Sequence, residues 1–310
     1  MKKKNILNNI AVIRLITVVL SSLLIPVSAR EIETDDLTEH QVKAKVAFAS
    51  SKDQQLKTDL KQGKIKSFNE SEVNSLKEAY SFSSSLDEKI ELASKLEEYG
   101  VYVFTDATEE KRGGISTYAL IGAFPTSGAN DMTLNTPTIF YDGSAHTWTV
   151  TCGGSWNNDN YAPYIGIGKK IGDPDAFGVG FTSIKNNYTS YVVSAYAYLE
   201  DSLGINRTTT YNRSDGDGSK GFGFRLQDEY QAYALTQSLY VGYRWYGSCT
   251  YDYNFVYYSC VATGYYIHTY SSAEITGINF GVDGKTAGIS VSISNVQKSF
   301  EAYSADLKLG

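Results

Sequence analysis

Apolar and polar positions alternate along this chain with two different periods. Before residue 113 the spacing is helical. Leu86, Ile90, Ala93 and Leu96 fall on one helix face. Ser85-Leu86-Asp87-Glu88 ahead of them forms a capping box, in which the Ser hydroxyl and the Glu carboxylate satisfy orphan amides reciprocally. Gly100 suits the left-handed position beyond the C-terminus. Asn69-Glu70-Ser71-Glu72 is a similar start, followed by Val73, Leu76 and Tyr80 on one face. An earlier helix is expected over Leu37–Leu60, with a thinner stripe of Val42, Val46, Ala49, Leu56 and Leu60. Such narrow stripes bury little surface, so each helix needs another layer to lie against. Val101–Phe104 then reads as a short apolar strand.

After residue 113 the period drops to two. Ile289, Val291 and Ile293 alternate with Ser290, Ser292 and Ser294, the mark of a half-buried strand. Further strands are expected at Ile115–Phe124, His146–Cys152, Tyr191–Leu199, Leu239–Trp245, Asn254–Val261 and Tyr265–Tyr270. Leu226–Leu239 fits either a helix or a strand. Asp142-Gly143, Asn157-Asn158-Asp159-Asn160, Asp215-Gly216-Asp217-Gly218 and Asp283-Gly284 separate these runs as turns. The pattern predicts an α+β chain: an N-terminal helical region, then a Tyr-rich, mainly antiparallel β domain, sandwich or barrel-like.

Composition sharpens the boundary. Residues 31–112 hold 12 basic and 18 acidic side chains, whereas the longer 113–310 holds only 11 and 16. Of the 25 Tyr, 22 lie after residue 113. Lys111-Arg112-Gly113-Gly114 sits on the junction, so Arg112 is a candidate processing point and 30–112 a candidate pro-segment. A strand at Val101–Phe104 that pairs with the β domain argues against such a cut. Residues 1–29 read as a secretory signal peptide: Lys2–Lys4, the apolar Leu15–Val27, and small residues ending at Ala29. Arg14 and Pro26 leave the apolar run short of the ~20 residues a membrane span needs. Cleavage after Ala29 moves the net charge from −6 to −10, because four of the basic residues leave with the leader. A secreted, extracellular protein is expected, and one this acidic is a poor partner for nucleic acid.

The chemistry is sparse. Three Cys in a secreted chain leave one over. Cys249 and Cys260 flank ten residues that fit a hairpin, and facing strand positions suit a disulfide. Cys152 then remains, as a buried thiol or as a nucleophile with His146 or His268 as base. The papain-like arrangement of Cys before Trp is not met, since Ser155 precedes Trp156, and no Gly-x-Ser-x-Gly occurs. Three scattered His fit no zinc motif, and no cofactor is expected. Asp215, Asp217 and Ser219 place oxygens at alternate positions as calcium loops do, although Lys220 and Leu226 stand where an EF-hand wants Gly and Glu. A polar hairpin turn is the ordinary alternative. Asp and Glu are sparse in 113–310, and most of the Asp sit beside Gly, Asn or Pro in turns, which weakens a glycosidase reading.

The aromatic array is the densest feature. Tyr243, Trp245, Tyr251, Tyr253, Tyr257 and Tyr265 belong to a run that, with rings inward and hydroxyls outward, would form a binding surface for sugars or a bilayer interface. Tyr is also simply a good strand former. The favoured function is a secreted, non-enzymatic bacterial effector, antibacterial or toxin-like, acting on cell envelopes through this surface and through amphipathic strands such as Gly288–Val296. A carbohydrate or cell-wall binding module, and a hydrolase without a recognisable motif, are the alternatives.

Overall fold

The structure, a computed structural model, describes residues 63, 65–103, 132–157, 166–182, 191–216, 220–234, 237–253, 255, 260–269, 274–280, 289–294 and 299–309. Two helices come first, α1 (Glu70–Phe82) and α2 (Leu86–Glu97). Asn69 caps α1, its side chain accepting from the Glu72 amide. Ser85 caps α2 in the same way. The predicted box closes through an intermediary. The Glu88 carboxylate accepts from the Ser83 hydroxyl at 2.7 Å, and that hydroxyl accepts from the Ser85 amide. Gly100 terminates α2 at φ 73° and donates to the Glu97 carbonyl, as its position predicts.

Fourteen strands follow among the described residues: β1 (Val101–Val103), β2 (Met132–Leu134), β3 (Thr138–Asp142), β4 (Thr147–Trp156), β5 (Asp175–Thr182), β6 (Val192–Asp201), β7 (Asn206–Thr210), β8 (Gly221–Leu226), β9 (Glu229–Ala234), β10 (Gln237–Tyr251), β11 (Cys260–Thr269), β12 (Ile275–Phe280), β13 (Ile289–Ile293) and β14 (Ser299–Leu309). They pair antiparallel in three sheets. The large sheet runs β1-β3-β4-β10-β6-β7, with β2 also on β4 and β9 also on β10. A second sheet runs β14-β11-β5-β8, and β12-β13 stand as a sheet of two. Leu226–Leu239 resolves as strand on both sides of residues 235 and 236.

Alternation along the strands builds four layers. On β4, Trp148, Val150 and Cys152 point into a core shared with Phe177, Val179, Phe181, Phe222 and Phe224 of the second sheet. The opposite face of β4 carries Thr149 and Thr151, and α1 lies on it. The contacts are polar: Lys77 Nζ donates to Thr149 Oγ1 at 3.0 Å, and the hydroxyls of Ser81 and Thr151 meet at 2.8 Å. Beside this stripe Val73, Tyr80, Leu92, Ala93 and Leu96 pack with Val101, Val103 and Phe140. The charged region therefore contributes both an outer layer and, through β1 pairing with β3, one strand of the large sheet.

The second sheet has an unusual outer face. β5 and β8, absent from the expected strands, alternate Phe or Val with Gly, and Gly178 stands opposite Gly223. A Cβ on Gly178 would run into the Phe222 carbonyl, and one on Gly223 into the Tyr265 hydroxyl. Without side chains there, the sheet admits Tyr265 and the β12–β13 hairpin close to its backbone.

Candidate functional site

The β12–β13 hairpin is the chemically distinctive element. Ile275, Ile278 and Ile289 are buried against Ala176, Tyr265 and Ile267 of the second sheet, with Phe280 and Ile293 half-buried beside them. Thr276, Asn279 and Ser292 face solvent. A bulge between Ile275 and Gly277 absorbs one residue, which lets Ile275 and Ile278 point to the same side. Between Ile275 and Ser294 the chain carries only two charges, Asp283 and Lys285, both in the connection between the strands. Three buried isoleucines contribute about 1.5–3 kcal/mol each to holding the hairpin down.

One side chain of the sandwich grips the hairpin backbone. Arg225, on β8, donates from Nη1 to the Ile275 carbonyl at 2.7 Å. Its other prongs clasp Asp215, Nε to Oδ2 at 2.8 Å and Nη2 to Oδ1 at 2.6 Å. Asp215 is itself fixed by backbone bonding with Gly223. Both of its carboxylate oxygens thus accept from the guanidinium, which favours the structural turn over the weaker calcium-ligand alternative for Asp215. Asp217 and Ser219 lie outside the described residues.

A second cluster lies between the sheets. Asp175, Asp228 and His268 are 1%, 0% and 2% exposed, with candidate ligand atoms within 4.8 Å of one another. His268 Nδ1 is 3.0 Å from both oxygens of Asp175 and 3.9 Å from Asp228 Oδ2. Tyr266 donates its hydroxyl to Asp175 Oδ2 at 2.6 Å, and the Thr269 amide donates to Asp175 Oδ1 at 2.9 Å. Tyr240 donates to Asp228 Oδ2 at 2.8 Å. Burial and the neighbouring Asp175 push the Asp228 carboxyl well above the usual carboxylate range. Two carboxylates and an imidazole, side chains suited to a divalent ion, are present, but protein donors already occupy the carboxylate oxygens. The arrangement is a buried acid–imidazole network that joins β5, β10 and β11. With Trp156 edge-on to His268 at 5.6 Å, it is closed to a substrate.

Under α1, a cleft of about 270 Å³ is lined by Ser75, Glu78, Ala79, Phe82 and Arg244. Arg244 Nε lies 2.6 Å from Glu200 Oε2, and its guanidinium sits 4.1 Å over the Phe82 ring. Burial raises the Glu200 carboxyl while Arg244 opposes it. This cation clamps helix to sheet.

The remaining expectations divide clearly. Cys249 is an unpaired buried thiol, so the Cys249–Cys260 bridge is not formed. The reason is topological: β10 runs between β4 and β6, whereas β11 runs between β5 and β14, so the two strands belong to different sheets. Cys152 lies buried beside Gly247, and burial first, then Cys249, drives its thiol upward, the reverse of what a nucleophile needs. His146 occupies the turn before β4 at φ 55°, with Nδ1 3.3 Å from the Tyr141 hydroxyl. The aromatic surface is also corrected. Trp245, Tyr251 and Tyr265 are 0%, 0% and 1% exposed, and Trp245 stacks on Tyr266 at 4.0 Å inside the core. Tyr243 is half-buried, and Tyr253 is 65% exposed. Tyr257, Ala29 and Arg112 lie outside the described residues. Arg225 and β12 were not foreseen. The uncharged stretch running back from Asp283 to Ile275 was the available signal for β12.

The molecule is thus an α+β protein with a two-sheet β sandwich, capped outside by helices on one sheet and a hairpin on the other. No protein-family model matches the chain, and no curated protein matches it. Among solved structures, the Clostridium perfringens NetB toxin in the membrane inserted form aligns with 62% of this chain and 93% of its own, at 10% identity and a TM-score of 0.23. At that TM-score the likeness carries no argument about function. Among the described residues no helix is long and apolar enough to cross a membrane.

Proposed function

We propose that this protein is a secreted, non-enzymatic effector that acts on the membranes of other cells by unpacking the β12–β13 hairpin. The observation that carries the reading is the hairpin itself: an amphipathic two-stranded sheet, uncharged except at its tip, paired only within itself among the described residues. Membrane strands alternate apolar and polar side chains in this way. The 19 residues from Ile275 to Ile293 divide about Asp283-Gly284 into runs of 8 and 9. A tilted membrane strand takes ~9–11 residues. A single hairpin in lipid leaves two edges of unsatisfied amides, so insertion requires closure with hairpins of further copies. The smallest barrels have about eight strands, which corresponds to about four copies.

Burial of Trp245, Tyr251 and Tyr265 removes most of the support for a sugar-binding platform, and burial of Cys152 and His268 most of that for a hydrolase. The test is calcein release from liposomes by purified protein. An environment-sensitive dye attached through Ile293→Cys, in a Cys260→Ser background, reports on the hairpin. Release together with a blue shift of the dye is the expected result. No release and no killing of bacterial cells refutes the reading.

A further inference from the structure

We infer that Asp215 and Arg225 form the latch that holds the β12–β13 hairpin against the sandwich, and that withdrawal of Arg225 from the Ile275 carbonyl is the step that frees it. This rests on the membrane reading only for its purpose, since the latch is a property of the folded protein.

The geometry is specific. Apolar packing by Ile275, Ile278 and Ile289 is non-directional and holds the hairpin without fixing when it lifts. Arg225 adds a directional bond at one point, the base of the hairpin where Ile275 pairs with Ile293. A charged donor to a carbonyl is among the stronger hydrogen bonds. It is also positioned in advance. Asp215 takes the other two prongs of the guanidinium in a fork-to-fork pair, so Arg225 reaches Ile275 with little freedom left to lose. The Asp215 end is anchored: its amide and carbonyl bond Gly223 of the same strand, and Ser214 accepts from the Arg225 amide at 2.9 Å. The anchor therefore stays with the sandwich when the hairpin moves. The side chain of Arg225 is 27% exposed, so water or an anionic lipid headgroup can reach the guanidinium and compete for it.

Hydrogen exchange on the full chain, read segment by segment with and without liposomes, tests this. Arg225→Ala should speed exchange over 275–280 and 289–293 by about tenfold or more without liposomes, leaving β4 and β10 unchanged. Arg225→Lys keeps the charge but not the fork, so it should shift exchange the same way by less. Asp215→Asn should do likewise. The Lys variant also serves if the Ala variant does not fold. Unchanged hairpin exchange, or an equal rise throughout the chain, overturns the latch. Calcein release separates the two claims. Faster hairpin exchange with no release by any variant upholds the latch and removes the membrane reading. Release by the wild type, with hairpin exchange in Arg225→Ala no faster than wild type, does the opposite.

Discussion

Lys77 is buried beneath α1, and replacing it with Met should make the protein more stable at neutral pH. Burial lowers its ammonium from 10.5 to about 8, against the pull of Asp142 and Glu70. The sign follows from linkage. The unfolded chain binds a proton at Lys77 up to about pH 10.5, whereas the folded chain releases it near pH 8. Stability therefore rises with pH between those values, and below pH 8 the folded state carries the full cost of charging a buried group. A shift of 2.5 units corresponds to about 3 kcal/mol at pH 7, about 2 at pH 9 and about 1 at pH 10. Met removes this cost. It also loses the bond to Thr149, worth roughly 1 kcal/mol, though Thr149 keeps Thr250 as a hydroxyl neighbour at 3.3 Å. The net expectation is a gain of about 2 kcal/mol at pH 7 that shrinks to nothing by pH 10. Urea unfolding followed by tryptophan fluorescence measures it, since Trp148, Trp156 and Trp245 are all buried. Comparison of variant with wild type cancels the tyrosines, whose raised pKa values lower stability in both above pH 10. A Met variant less stable at pH 7, or a difference that does not change between pH 7 and 10, refutes the argument.

Other expectations follow from single contacts. Gly178→Ala forces a methyl group onto the Phe222 carbonyl in the middle of a sheet, and should lower stability by about 1–3 kcal/mol in the same urea assay. Asp228→Asn should gain on wild type as pH rises from 4 to 7: the raised carboxyl of Asp228 stabilises the fold at low pH and stops doing so once it must ionise, a cost Asn does not carry. Ser85→Ala should cost about 1 kcal/mol by removing the α2 cap. Cys249 should resist thiol reagents in the native protein, react promptly in urea, and map by mass spectrometry as an unbridged residue.

Local signals in the sequence were faithful wherever one residue determines the outcome. Asn69, Ser85 and Gly100 sit where their side chains or their lack of one predict. Among the described residues the two-period pattern separated helices from strands; the expected helix Leu37–Leu60 and strand Ile115–Phe124 lie outside them. Signals failed where the outcome depends on what lies across the core. β5 and β8 lack the usual strand composition because Gly223 must admit Tyr265, Gly221 must admit Phe280 of the hairpin, and Gly178 must clear the Phe222 carbonyl, demands made by distant residues. The same holds for the tyrosines. Composition placed them on a surface, but a thick sandwich with Tyr266 bonded to Asp175 and Tyr240 to Asp228 offers hydroxyl partners inside. The disulfide failed for a reason of connection: Cys249 and Cys260 look like two arms of one hairpin, yet the chain crosses between sheets in that interval. Asp215 was rightly singled out and wrongly partnered, because Arg225 is ten residues away and its approach is made by strand pairing.

The pairing of β1 with β3 has a consequence for the whole chain. Val101–Val103 enter the large sheet, and both helices share a core with Phe140. A protease acting anywhere between residues 103 and 132 would therefore not shed a leader. It would turn one polypeptide into a heterodimer of fragments, co-purifying under native conditions and separating only in denaturant. From then on the stability of the fold would follow the law of mass action, falling with dilution where the intact chain is indifferent to it.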